Sequence, residues 1–129
     1  MAEQLQLEKA VPPGLRVLIV EDMWLVAQDL SSQLEDLGCH VAGPAGRLQQ
    51  AIEIAQSEAL DGALLDVNLG VAKSFAIAAT LQARGVPFVF LTGYDSADAF
   101  PPEFAEVPRL SKPLHPRDLV SAVAGFAAH

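Results

Sequence analysis

Carboxylates follow two apolar segments of this sequence. Asp66 ends the apolar run at residues 63–65, and the pair Glu21-Asp22 follows the run at residues 15–20. Short apolar runs bounded by turn residues are typical of strands buried on both faces of a parallel sheet. If these strands are neighbours, the three carboxylates share one crevice, where like charges repel and raise pKa values unless a cation binds. The spacing therefore predicts a divalent-cation site.

A hydroxyl and a cation follow two later predicted strands. Thr92 comes directly after residues 87–91, and Lys112 directly after residues 107–111. Open α/β sheets place their sites at the carboxyl ends of the strands. We therefore expect Thr92 and Lys112 to join the carboxylates in one polar cluster at one edge of the sheet.

Five strands and five helices must position this cluster. Apolar residues recur at helical spacing between the strands, which predicts alternating strands and helices with parallel pairing through right-handed crossovers. The first helix is predicted to open at Glu21-Asp22, with Trp24 partly buried, and the second strand, residues 39–42, to be closed by Gly43-Pro44. The fourth helix, residues 96–106, is expected to be short or irregular because Pro101-Pro102 interrupts it. The three histidines lack ligand spacing and are interpreted as structural or solvated: His40, His115 and His129.

Composition limits the class of protein. The chain has 129 residues, enough for one domain with one core, and it is 51% hydrophobic but only 6% aromatic. Sixteen acidic against eight basic residues give a net charge of −8, which argues against a nucleic-acid or anionic-membrane partner. With one cysteine, no signal-peptide pattern and no apolar run near the about 18 residues of a membrane span, we expect a cytoplasmic protein.

Residues 1–14 are interpreted as an N-terminal extension and residues 15–129 as the domain. Pro12-Pro13-Gly14 stops regular structure at the boundary. Leu5, Leu7 and Val11 are available for packing on the domain or on a partner, although a loose tail is the simpler interpretation.

The order of these polar residues resembles the receiver domain of two-component response regulators. An acid pair, a lone Asp, Thr92-Gly93 and Lys112-Pro113 occur in the family's order and near its spacings, and the resemblance covers roughly residues 15–128. It implies a flavodoxin-like, doubly wound α/β fold with a five-stranded parallel sheet in the order 2-1-3-4-5, an order already familiar from receivers. In the family the Lys-Pro peptide is commonly cis, so the resemblance implies a cis peptide between Lys112 and Pro113.

The resemblance also implies a role for each site residue. Asp66 would be the phosphoacceptor, Thr92 the hydroxyl that follows the phosphoryl group, and Lys112 its positive partner. Mg²⁺ would be held by oxygen ligands, as that ion prefers: Asp22, Asp66, Glu21 partly through water, and the backbone carbonyl of Asn68. The donor would be a histidine kinase or a histidine phosphotransfer protein, and the output would be contacts with an unidentified downstream protein, since no effector domain is predicted after the last helix.

This chain departs from the family pattern at several positions. The family's aromatic switch residue is replaced by Arg109, and Gly70 and Ser74 stand where Pro and Gly are usual. The run Phe90-Leu91-Thr92-Gly93-Tyr94 resembles a Phe-Ala-Thr-Gly-type subgroup found largely as single-domain regulators in alphaproteobacteria. We hypothesise that Tyr94 reports phosphorylation in place of the missing aromatic.

Three interpretations remain for the function. The first is a stand-alone receiver with no enzymatic activity beyond its own phosphoryl transfer and hydrolysis. The second is a receiver module of a hybrid histidine kinase. The third is a small aspartyl-phosphate hydrolase of the haloacid dehalogenase type, which also uses Asp, Mg²⁺, Thr and Lys. That class requires a second acid two residues after the nucleophile, where this chain has Asn68.

Overall fold

Strands and helices alternate along the chain. The structure is a computed structural model that describes residues 2–93 and 100–128. The elements in chain order are α1 (Ala2–Lys9), β1 (Arg16–Val20), α2 (Trp24–Asp36), β2 (His40–Ala45), α3 (Leu48–Ser57), β3 (Gly62–Asp66), β4 (Asn68–Leu69), β5 (Ala72–Lys73), α4 (Phe75–Ala83), β6 (Phe88–Thr92), a 3₁₀ turn (Pro102–Phe104), β7 (Arg109–Ser111) and α5 (Pro116–Ala127).

The main sheet has five parallel strands in the order β2-β1-β3-β6-β7. The strands β4 and β5 form a separate antiparallel hairpin of two residues each. Without that hairpin, the order is the predicted 2-1-3-4-5, so the flavodoxin-like fold is confirmed. All five residues of β3 are buried, as expected for a central strand covered on both faces.

The core lies on both faces of the sheet. Successive strand residues point to opposite faces, so Leu18 and Leu65 join a cluster with α3 and α4, while Ile19 and Leu64 join one with α2 and α5. Phe90 belongs to the first cluster, where its ring lies edge-on to its aromatic neighbours. Five of the six phenylalanines belong to this cluster, and Phe126 belongs to the cluster on the other face.

Two predicted boundaries and one predicted burial were wrong. Helix α2 begins at Trp24, because Met23 has an extended backbone and leaves Glu21 and Asp22 in the preceding loop. Trp24 is 70% exposed, because the buried face of α2 begins only at Ala27, beyond its first residues. Strand β2 does not stop before Gly43-Pro44 but continues to Ala45 through a cis peptide and a shift in its pairing with β1.

The N-terminal extension contributes to the domain. Residues Ala2–Lys9 form α1, which lies against α5. Val11 is buried in the same cluster as Val17, whereas Leu5 is exposed. Packing against the domain therefore continues on the N-terminal side of the Pro-Pro-Gly segment.

The region predicted as the fourth helix is irregular where the structure describes it. Pro102–Phe104 form a single 3₁₀ turn whose Phe104 is buried. Residues 96–99 of the predicted helix lie outside the described residues. Pro101 and Pro102 lack the amide hydrogens that an α-helix needs, which explains the short turn.

Two of the three histidines are described. His40 is exposed, and His115 precedes α5, where its Nδ1 accepts a hydrogen bond of 3.1 Å from the amide of Arg117. Their interpretation as solvated or structural agrees with these positions, and His129 lies outside the described residues. None of the helices in the described part of the chain has the length and apolar character to cross a membrane.

Candidate functional site

Four adjacent strands deliver the predicted site residues to one edge of the sheet. In the pairing of β3 with β6, Asp66 lies opposite Leu91, and in the pairing of β6 with β7, Thr92 lies opposite Ser111. Glu21 and Asp22 follow the end of β1, which pairs with β3. Parallel strands end on the same side, so residues far apart in sequence converge there.

The three predicted carboxylates form one cluster. Glu21, Asp22 and Asp66 each offer an oxygen atom, and these atoms lie within 4.8 Å of one another. Glu21 and Asp66 are buried, whereas Asp22 is exposed. Carboxylate oxygens with an open side match Mg²⁺, which takes oxygen ligands and usually keeps several waters. The donor set therefore fits the implied ion.

Lys112 is the positive partner of the buried acids. Its Nζ lies 2.8 Å from Oδ2 of Asp66 and 3.1 Å from both carboxylate oxygens of Glu21. Its backbone amide donates a hydrogen bond of 2.8 Å to the carbonyl of Thr92. The Lys112-Pro113 peptide is cis, as the resemblance implied. The sequence prediction that Lys112 lies beside Asp66 is thus met by the geometry.

Burial and neighbouring charges shift the pKa values of two groups in the cluster, Glu21 and Lys112. Burial raises the pKa of Glu21 to about 8, and the Asp66 carboxylate adds to the rise while Lys112 opposes it. Burial alone would lower the pKa of Lys112, but its hydrogen bonds to Asp66 and Glu21 outweigh burial and raise it. The ammonium group of Lys112 thus contacts both acids, and a bound cation would favour the ionised form of Glu21.

The β4–β5 hairpin closes one side of the cluster. The amide of Asn68 donates to Oδ1 of Asp66 at 3.2 Å, and the amide of Gly70 donates to Oδ2 of Asp22 at 3.0 Å. Lys73 donates to the side-chain oxygen of Asn68. Gly70 has φ +63°, which proline cannot adopt. The tight hairpin at Gly70 therefore could not form in this way with the proline that is usual in the family at this position.

Ser74, the second departure in this loop, is fully buried at the start of α4. Its amide donates to the carbonyl of Val67 at 2.9 Å, but its hydroxyl has no hydrogen-bond partner among the described residues. A glycine would place no hydroxyl there. Nothing in the described contacts explains why a serine occupies this position.

Thr92 lies at the site, whereas Arg109 contacts an aromatic ring away from it. Thr92 is half-buried at the last position of β6, next to the strand that carries Asp66. Arg109 points to the aromatic cluster instead, with its guanidinium carbon 3.6 Å from the centre of the Phe100 ring. Sequence analysis missed this contact, since no local pattern relates the two residues. Tyr94 lies outside the described residues, so the hypothesis about it stays a prediction.

An apolar rim beside the site was also missed. We use this term for Met23, Trp24, Leu25 and Val71, whose exposed fractions are 59%, 70%, 73% and 106%. The first three follow Asp22 directly, and Val71 follows Gly70, whose amide binds Asp22. The apolar triplet after the acid pair was the available signal.

Comparison with known proteins identifies the family. The model of the response regulator receiver domain matches residues 17–124. The chain is 30% identical over 119 residues to the transcriptional regulatory protein PdtaR of Mycobacterium tuberculosis, covering 90% of this chain and 57% of PdtaR. It is 32% identical over 127 residues to the phyllosphere-induced regulator PhyR of Methylorubrum extorquens, covering 93% and 46%. The chain thus spans about half the length of these curated relatives.

A solved structure extends the comparison. The solution structure of SdrG from Sphingomonas melonis Fr1 is 36% identical, with a TM-score of 0.75, and the match covers 90% of this chain and 98% of SdrG. The matches to SdrG and PhyR give loose support to the alphaproteobacterial subgroup. With the acids, Thr92 and Lys112 gathered at one sheet edge and the family model covering most of its length, this chain belongs to the response regulator receiver domain family.

Proposed function

We propose that Asp66 accepts a phosphoryl group from a phosphohistidine on a histidine kinase or a histidine phosphotransfer protein, and that the chain signals through protein–protein contacts. The observation that carries the proposal is the environment of the Asp66 carboxylate. It is buried, bonded to the Lys112 ammonium at 2.8 Å, and within 4.8 Å of two further acids in a receiver domain.

The proposed reaction forms one bond and breaks one. A carboxylate oxygen of Asp66 attacks the phosphorus, the P–N bond breaks, and the imidazole nitrogen keeps the electron pair and takes a proton. The product is an acyl phosphate on Asp66. Positioning and charge stabilisation supply most of the catalysis in phosphoryl transfer, so Lys112 is assigned to hold one phosphoryl oxygen and Thr92 to donate its hydroxyl to another.

We propose that the reaction depends on Mg²⁺. Receiver domains bind Mg²⁺ at an acidic pocket, and the cluster of Glu21, Asp22 and Asp66 provides one here. These carboxylates and the carbonyl of Asn68 would hold the ion. When bound, it would neutralise charge on the phosphoryl oxygens. Lys112 would then shift from balancing Glu21 and Asp66 to contacting the phosphoryl group.

The apolar rim supports a protein donor rather than a small phosphorylated metabolite. A phosphohistidine must approach Asp66 closely, so the donor's surface must cover the residues around the site. That surface includes Trp24 and Val71, both largely exposed. Exposed apolar clusters of this kind mark protein-interaction sites.

We propose that the output is a change in what the receiver surface binds. Moving an equilibrium from 1:99 to 99:1 requires about 5.5 kcal/mol of differential stabilisation, part of which new contacts from the phosphoryl group to Lys112 and Thr92 would supply. Tyr94 is proposed to report this change. If Tyr94→Ala leaves phosphorylation-dependent partner binding unchanged, that role is wrong.

The chain is proposed to act as a regulator rather than as an enzyme. The names of the curated relatives PdtaR and PhyR, both regulators, support this proposal. A hydrolase would release phosphate repeatedly from a generic ester such as p-nitrophenyl phosphate, and we expect no turnover. Steady turnover lost in Asp66→Asn would support the hydrolase instead.

The decisive experiment labels the acceptor. The wild-type protein is incubated with acetyl phosphate and Mg²⁺, beside Asp66→Asn and the matched control Asp36→Asn, which changes an exposed aspartate of α2. Phosphate-affinity electrophoresis should show a phosphorylated band that is lost in Asp66→Asn and retained in the control. Equal labelling of all three proteins would reject the assignment. Omitting Mg²⁺ should abolish labelling, and labelling that persists without it would contradict only the metal dependence.

A further inference from the structure

The three acids of the cluster are not held in the same way. Glu21 and Asp66 are buried, and both accept hydrogen bonds from the ammonium group of Lys112. Asp22 is exposed, and the amide of Gly70, at 3.0 Å, is the one hydrogen-bond donor that its carboxylate has among the described residues. An exposed side chain without such a contact exchanges rapidly between rotamers. The Gly70 amide is therefore what fixes the direction of the Asp22 carboxylate.

A tight turn presents this amide. Leu69 pairs with Ala72, so Gly70 and Val71 form a two-residue turn. Gly70 has φ +63° and no described residue other than glycine has a positive φ, which is the pattern of a type II′ turn with glycine at its first central position. A Cβ at Gly70 would meet no atom within 4 Å, so the backbone conformation, not a lack of space, favours glycine here.

The base of the hairpin is anchored to the domain. Leu69 is buried in the core cluster on the α3 and α4 face of the sheet. The amide of Ser74 donates to the carbonyl of Val67 at 2.9 Å, which closes the hairpin. The amide of Asn68 donates to Oδ1 of Asp66 at 3.2 Å. The turn therefore projects its amide toward the acids from an anchored backbone.

We propose that Gly70 is a positioning residue of the proposed metal site, because its amide holds the exposed Asp22 carboxylate beside Glu21 and Asp66 before an ion binds. A carboxylate has about four acceptor positions, so donation from one amide leaves others for an ion. Mg²⁺ demands near-ideal octahedral geometry, which makes its binding sensitive to the direction of each ligand. Hydrogen-bond donors to ligating carboxylates contribute to metal affinity for this reason.

This contact is a property of the chain and not of the family pattern. The proline that is usual at the position of Gly70 has no amide hydrogen to donate. The inference rests on the Mg²⁺ dependence in the proposed function, and it adds a backbone group outside the predicted ligands.

Two substitutions of Gly70 keep the amide but differ in their tolerance of the turn. Asparagine is accepted at a positive φ in such turns, whereas a β-branched valine is a steric outlier there. Mg²⁺ titration is followed by the fluorescence of Trp24, the single tryptophan, two residues after Asp22. Affinity should fall about tenfold in Gly70→Val and change less than about twofold in Gly70→Asn. Equal affinity in wild type and Gly70→Val would overturn the proposal.

Gly85→Val is the matched control. Gly85 is also exposed, has φ +73° and open space at its Cβ, and it precedes β6 at the end of the sheet away from Thr92. In urea unfolding it should lose stability as Gly70→Val does, yet it should retain the wild-type Mg²⁺ affinity. Equal weakening of affinity in both valine variants would overturn the proposal, because a general loss of stability would then explain the effect.

Removing the acceptor tests whether Gly70 acts through Asp22. In an Asp22→Ala background, Gly70→Val should change the remaining Mg²⁺ affinity less than about twofold. A further tenfold loss there would overturn the proposal. In NMR spectra recorded without Mg²⁺, the Gly70 amide proton should move upfield in Asp22→Ala and stay in place in Asp36→Ala, a change at an exposed aspartate of α2. An unmoved signal in Asp22→Ala would show that the hydrogen bond is absent.

Failure of this inference is distinguishable from failure of the proposed function. Mg²⁺ affinities that follow the pattern above, with no labelling of Asp66 by acetyl phosphate, would overturn the phosphoryl transfer and leave the role of Gly70. Labelling that requires Mg²⁺, with equal affinity in wild type and Gly70→Val, would overturn only the role of Gly70. Absence of Mg²⁺ binding to wild type would overturn both the role of Gly70 and the metal dependence.

Discussion

Lys112 Nζ lies 2.8 Å from Oδ2 of Asp66, although the two residues are 46 positions apart in the chain. The same ammonium group contacts both oxygens of Glu21, which is 91 positions away. Lys112, directly after β7, thus connects the loop after β1 with the last residue of β3. Its contribution to stability and its proposed role in phosphoryl transfer therefore cannot be changed independently.

Replacing Lys112 should destabilise the protein in the absence of Mg²⁺. Lys112→Met keeps the apolar stem but leaves the Glu21 and Asp66 carboxylates without their cation, which should lower the free energy of unfolding by about 1–3 kcal/mol. Added Mg²⁺ should recover part of the loss by binding the same carboxylates. Urea unfolding with and without Mg²⁺ measures both effects. Lys9→Met, at an exposed lysine of α1, serves as the control, and an equal loss there would contradict the prediction.

The raised pKa of Glu21 predicts a pH dependence of stability with a definite sign. Its pKa lies near 4.5 when unfolded and about 8 in the folded protein, so the folded state binds more protons between these values. The free energy of unfolding should therefore fall as pH rises from about 5 to 8. Glu21→Gln should reduce this slope, and Asp36→Asn should retain it. A slope unchanged in Glu21→Gln would show that another group causes it.

The same protonation should oppose metal binding. Because an ion needs the ionised carboxylate, Mg²⁺ affinity should rise several-fold between pH 7 and pH 8, and binding at pH 7 should release protons. Calorimetry in buffers of different ionisation enthalpy measures the release. Binding to wild type that is independent of pH over this range would contradict ligation by Glu21.

Two glycines should respond oppositely to alanine. A Cβ at Gly62 would lie 2.2 Å from Cδ2 of Phe126, so Gly62→Ala must displace a buried ring and should cost about 1–3 kcal/mol of stability. Gly125→Ala meets open space in α5 and should stabilise the protein by about 0.5–1 kcal/mol. Thermal unfolding of both variants tests the pair. A stabilising Gly62→Ala would mean that Phe126 does not pack on β3 as described.

The stacking of Arg109 on Phe100 should be measurable as a coupling energy. Exposed cation–π contacts contribute about 0.5–1 kcal/mol, and this one has the guanidinium carbon 3.6 Å from the ring centre. A double-mutant cycle with Arg109→Ala and Phe100→Leu should recover that amount from urea unfolding. The same cycle with the exposed Arg47 in place of Arg109 should give a value near zero. Equal coupling in both cycles would rule out a specific contact.

Local sequence patterns were sufficient to predict the architecture and the residues that form the site. Each buried strand appears as an apolar run that ends in a polar residue, and parallel strands end on one side of the sheet. Glu21, Asp22, Asp66, Thr92 and Lys112 could therefore be grouped before any distances were known. The family resemblance added the expected strand order, which the structure confirms.

Only the tertiary structure decided which surfaces are covered and which side chains pair. Trp24 is a large apolar residue that was predicted to be partly buried, but its exposure depends on how far the core reaches along α2, and that is not a local property. The pairing of Lys112 with two acids, the hairpin at Gly70 and the stacking of Arg109 on Phe100 each join segments distant in sequence or set by a loop's backbone angles. Periodicity describes one element at a time, whereas these contacts arise from how elements pack against one another.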